Sequence, residues 1–158
     1  MSANPIIYCL EQLTDYRQFE RLCSDLMSGV GYVGIEPIGG TGDRGRDAIF
    51  IDHSDSNQLT IFAFSVRADW RKKLFEDCSR IEQEKHNPTK VVFVCTSSLS
   101  GHQSDEVKSS VMEKYGWKLE LFDLERIRVL LADSLHHLLA QHPSIFCPPW
   151  FPVQGGLS

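Results

Sequence analysis

The stretch Leu59-Thr60-Ile61-Phe62-Ala63-Phe64-Ser65-Val66 contains no charged residue and is dominated by β-branched and aromatic side chains. Such residues fit a pleated surface, and a run without polar alternation has no face to offer water. It is expected as an inner strand covered on both sides. Residues 90–96, built around Val91-Val92-Phe93-Val94-Cys95, repeat the pattern. Between the two runs, Trp70, Leu74, Cys78 and Ile81 fall within a narrow arc when advanced by about 100° per residue, which predicts a helix. Arg71 and Lys72 point away from that arc, and Lys73 lies at its edge.

Working outward, Tyr16, Phe19, Leu22, Cys23, Leu26 and Met27 recur at three- and four-residue spacing and predict an amphipathic helix over 14–29. Thr14 is the expected N-cap, and Gly29 and Gly31 end the run. Residues 32–38 read as a short strand, 39–45 as a glycine-rich turn, 47–51 as a second strand and 52–58 as a polar hairpin loop. Beyond the second inner strand come a loop at 97–103, a helix at 104–115, a closing strand at 117–122 and a helix at 123–133 capped by Asp123, continuing helically over 134–141. This order demands an α/β fold with a central mixed sheet of about five strands flanked by helices on both sides.

One domain is expected over 1–141, followed by a Pro/Gly-rich tail or linker over 142–158. Pro143, Pro148, Pro149, Pro152, Gly155 and Gly156 argue against regular structure there. Ile145, Phe146, Trp150 and Phe151 are too apolar for a free linker, so part of the tail is expected to pack back or to meet a partner.

The chain has 158 residues, 42% of them hydrophobic, and a formal net charge of −5. A globular fold follows, and no global field draws it onto nucleic acid, so any such binding needs a local basic patch. Five scattered cysteines, never spaced as CxxC, read as reduced, buried thiols. No apolar run approaches membrane-spanning length, and a cytoplasmic protein is expected.

The turn Gly42-Asp43-Arg44-Gly45-Arg46-Asp47 draws chemical interest. Hydrolysing a phosphodiester needs a divalent cation on hard oxygen ligands, a positioned water and positive charge near the phosphorane. An Asp after a glycine-rich turn, then an acidic or amide residue one strand later and a Lys two positions on, builds this economically, because alternate strand residues share a face. The same turn can also be a tight corner whose Asp bonds its own backbone.

Phe19-Glu20, Gly31-Tyr32, the Gly42 to Asp47 turn, the buried strand, the basic helix and the second inner strand together resemble the Mrr-like branch of the PD-(D/E)xK restriction endonuclease superfamily, over roughly residues 13–131. The resemblance implies a DNA-cutting domain using Mg²⁺ or Mn²⁺, with Asp47 as metal ligand assisted by Glu20. The chain departs from the pattern on the inner strand. The (D/E/Q)xK positions are taken by Ala63 and Ser65, so Ala63 offers only a backbone carbonyl to the metal, while a shifted register reads Ser65-Val66-Arg67. Relatives in this superfamily move the catalytic Lys onto the following helix, which Lys73 resembles. Arg44, Arg46, Arg67, Arg71 and Lys72 are then the candidate nucleic-acid contacts. The bland alternatives are that Glu20 is a solvated or ion-paired residue, and that the basic cluster is a solvated face with pairs such as Asp69 to Lys73 and Glu76 to Arg80.

Similar domains stand as effectors in bacterial defence proteins ahead of an NTPase or helical-repeat module, so such a following module is an expected partner alongside DNA. Cutting a duplex is compatible with a homodimer. The other class of function is a nuclease-fold domain that has lost catalysis and acts in nucleic-acid binding or assembly, which the lost (D/E/Q)xK residues favour.

Overall fold

A computed structural model describes residues 4–32, 35–37, 49–52 and 59–146. Asp47, Arg44 and Arg46, together with Cys147 and the rest of the tail beyond 146, lie outside the described residues.

The strands are β1 (Ile35–Pro37), β2 (Ile49–Asp52), β3 (Thr60–Ser65), β4 (Lys90–Cys95) and β5 (Lys118–Phe122). They form one mixed sheet in the order β1-β2-β3-β4-β5. The first two joins are antiparallel, and the parallel part consists of β3, β4 and β5. All six residues of β3 are buried. β4 pairs with it along its whole length and β2 along Thr60 to Ala63, so Ala63 lies opposite Ile49 of β2 and Phe93 of β4.

Helices cover both faces, as the uncharged inner strands require. One face carries Phe62, Phe64, Val92, Val94 and Phe122 and packs against Phe19, Leu22, Cys23 and Leu26 of α2 (Tyr16–Gly29) and against Ile127 and Leu131 of α5 (Leu124–Ala132). The other carries Ile61, Ala63, Val91, Phe93 and Leu121. It meets Leu74, Cys78 and Ile81 of α3 (Trp70–Gln83) and Val107 and Val111 of α4 (Gly101–Tyr115). Cys9, Cys23, Cys78 and Cys95 are buried free thiols, as expected.

Several helix ends differ from the sequence reading, each for a capping reason. Asp15, not Thr14, caps α2, its Oδ1 accepting from the backbone N–H of Arg17 at 2.9 Å. Helix α4 starts at Gly101 rather than Ser104, because Ser100 and Gln103 form a reciprocal capping box. Tyr115 is followed by Gly116 at φ 78°, a left-handed backbone that a side chain resists. The expected helix over 134–141 is a turn followed by the single-turn α6 (Leu138–Gln141). An unexpected helix, α1 (Pro5–Glu11), opens the described chain, with Asn4 as N-cap and Pro5 in the first turn, where a missing N–H costs nothing.

The tail makes regular structure where its prolines argued against it. Pro143 starts a further helical turn, α7 (Pro143–Phe146), for the same first-turn reason. Ile145 and Phe146 are buried in the α2-side core, so the packing-back expectation holds for this part. His142 Nε2 lies 2.7 Å from Asp25 Oδ2 and ties the junction before α7 to α2. Replacing Phe146, which is 1% exposed, with alanine should therefore cost about 3–5 kcal/mol in urea unfolding. A loss below about 1 kcal/mol would mean that α7 is not part of the core.

Candidate active site

Parallel strands end on the same side of the sheet, and the crevice beyond their carboxyl ends is where open α/β sheets hold ligands. Ser65 closes β3 beside Cys95, which closes β4. The Ser65 hydroxyl accepts the backbone N–H of Arg67 at 3.0 Å, a local turn that stops the strand and leads the chain toward α3. At this end lies a cleft of about 390 Å³. Thr14 and Tyr16 line it from the start of α2, Phe64 to Arg67 from the end of β3, and Lys73 from the first turn of α3.

Three of the sequence candidates, Ser65, Arg67 and Lys73, thus meet in one cleft, but in different electrostatic settings. The Arg67 guanidinium donates to Asp69 at 2.8 and 2.6 Å and to Glu76 at 2.9 Å, so one cation faces two carboxylates. Those bonds, Asp69 first, hold its pKa above the usual Arg value. Lys73 is 6% exposed and its Nζ donates to Asp77 Oδ1 at 2.8 Å. The same oxygen lies 3.9 Å from an Arg80 nitrogen, so here one carboxylate faces two cations. The expected pairs Asp69 to Lys73 and Glu76 to Arg80 are replaced by these, because Arg67 reaches back over the helix start and takes both carboxylates.

Lys72 is exposed, and Arg71 donates to Glu106 of α4 at 3.0 Å. Ala63 is 1% exposed inside the sheet, with its methyl group in the α3-side core. Glu20 is half-buried one helical turn after Tyr16. Burial pushes its carboxyl pKa upward, against the opposing pull of Arg17 and Arg21. Burial also drives the Tyr16 hydroxyl far above its ordinary range, with Glu20, Cys23 and Asp77 adding to the effect, so at neutral pH it is a phenol that can donate. Cys95 is pushed up to about 12 by burial and stays a thiol, not a nucleophile.

Among the described residues no three His, Cys, Asp or Glu side chains converge to hold a metal ion. Glu20 lies one helical turn beyond the cleft-lining Tyr16, Asp15 caps α2, and Asp77 is engaged by Lys73. The described residues alone do not make a cation cradle.

Sequence reasoning missed Asp77, Arg80, Thr14 and Tyr16. Asp77 was legible as an i,i+4 partner of Lys73, but Asp69 stands at the same distance on the other side. Tyr16 counted as one member of an apolar stripe, and its hydroxyl carries no periodic signal.

No curated protein and no solved structure matches the chain. A family comparison does match, to the restriction endonuclease family Mrr_cat over residues 12–131, well over half of the chain. The matched span contains α2, all five strands, α3 and α4, and with them every residue lining the cleft. The chain belongs to the Mrr_cat restriction endonuclease family.

Proposed function

We propose that this domain is a metal-dependent endonuclease that hydrolyses DNA phosphodiester bonds as an effector module of a bacterial defence protein. The observation that carries the reading is the cleft at the carboxyl end of β3, which Lys73, Ser65 and Tyr16 line together in a member of a restriction endonuclease family. Lys73 is better suited than Arg67 to face a phosphate. Lys73 is buried in the cleft wall, whereas Arg67 is taken up by two exposed carboxylates, Asp69 and Glu76.

In this reading the buried ammonium of Lys73 stabilises the charge that builds on the phosphoryl oxygens, and the Tyr16 phenol donates a hydrogen bond to the same group. Arg71 and Lys72 on the outer face of α3, with Arg44 and Arg46, hold the flanking phosphates and so orient the duplex. Asp47 and Glu20 are the side chains assigned to Mg²⁺ or Mn²⁺, which when bound supplies a more acidic water and a Lewis acid.

Supercoiled plasmid incubated with the domain should be nicked with Mg²⁺ or Mn²⁺ and left intact with EDTA. Asp47→Ala should abolish nicking, and Lys73→Met should lower it by about 10²–10³; full activity in either variant would remove that residue from the mechanism. A wild-type domain that binds DNA but never nicks it would favour the second reading, a nuclease fold kept for binding or assembly. Ala63 favours that reading, because a methyl group stands where the family pattern has a carboxylate or amide.

Glu20 gives a test independent of turnover. A carboxyl whose pKa folding raises holds its proton more tightly in the native state, so its ionisation at neutral pH opposes folding. That cost is absent below the ordinary Glu range and complete above the raised value. Glu20→Gln should raise the thermal midpoint at pH 7, lose that advantage in acid, and reduce nicking. A variant that is no more stable at pH 7 would contradict the unfavourable ionisation.

A further inference from the structure

The partner of Lys73 has a role that the nuclease reading leaves open. Asp77 is 3% exposed, one helical turn beyond Lys73 on α3. Lys73 lines the cleft and Asp77 does not. A carboxylate this deep is costly unless paired, and it is paired, at 2.8 Å to Lys73 and 3.9 Å to Arg80. Helix stability does not account for the order of the pair. A cation N-terminal to an anion at i,i+4 is the weaker orientation, and Lys73 sits near the positive N-terminal end of α3 with Asp77 at mid-helix. Nor does burial, since apolar residues of similar volume usually replace a buried ion pair without loss. Arg80 is not optimised as a structural residue either: its Nε is buried with no hydrogen-bond partner among the described residues.

Resting on the nuclease reading of the cleft, we propose that Asp77 is a positioning residue. It anchors the Lys73 ammonium at the cleft wall. A lysine stem has many rotamers, and few of them place Nζ on a reacting group, so each fixed partner narrows the choice. The Asp77 carboxylate supplies one such partner, and its negative charge beside the ammonium weakens the pull on an anion. Binding strength and catalytic alignment are then opposed through one carboxylate.

Asp77→Asn removes the charge and keeps the side chain's shape. Two measurements read it: affinity for a fluorescent oligonucleotide by anisotropy without divalent metal, and steady-state cleavage with Mg²⁺. The expected result is a split. Oligonucleotide binding tightens and KM falls, while kcat drops by about 10–100-fold, the usual size of an effect acting through another group. In a Lys73→Met background the loss of kcat on adding Asp77→Asn should vanish and the affinity gain should shrink, and the doubly apolar Lys73→Met, Asp77→Leu protein should fold and bind weakly, which separates positioning from stability. Unchanged affinity and kcat in folded Asp77→Asn would overturn the proposal, as would an affinity gain that is equally large without Lys73. A wild-type protein without cleavage would overturn the nuclease reading alone, because the anisotropy cycle still decides whether Asp77 acts through Lys73.

Discussion

Everything in this domain hangs on β3. It is the strand at which the sheet changes from antiparallel to parallel, it is hydrogen-bonded on both sides, and both of its faces are buried. Such a strand can tolerate no charge along its length, and its last residue is the first that can carry polar chemistry into the crevice. The site is therefore confined to what can reach the end of β3: Ser65 itself, the turn to Arg67, the first turn of α3 and the first turn of α2. The same constraint explains why a residue at position 63 meets hydrophobic neighbours on every side.

What the sequence makes legible follows from that constraint. Long uncharged runs and a strong helical stripe are collective signals, carried by several residues at once, and the two inner strands with α2, α3 and both helical layers were readable from them. Helix ends were not, because they depend on single side chains. Asp15 competes with Thr14, and Ser100 with Ser104, and in each case the winner is the one whose oxygen reaches the exposed N–H groups. Asn4 and Pro5 start a seven-residue helix too short to show periodicity.

At the cleft, residue types were legible and their pairings were not. The sequence shows Arg67, Lys73 and a scatter of acids within one helix, and several i,i+4 solutions are equally good on a wheel. The chosen one depends on the approach of the β3 to α3 turn, which swings Arg67 over Asp69 and Glu76 and leaves Asp77 to Lys73. The result is a graded surface. The outer cation is exposed and shared between two carboxylates, and the inner one is buried against a third.

Pro37 has a consequence for how copies of this domain can meet. β1 is the outermost strand on its side of the sheet, and its last residue has no N–H to donate. A proline in an edge strand makes it a poor template for another strand, so growth of the sheet on that side is disfavoured whatever lies over it. Pairing of two copies through strands is then left to the opposite edge, β5, and otherwise to the helical surfaces.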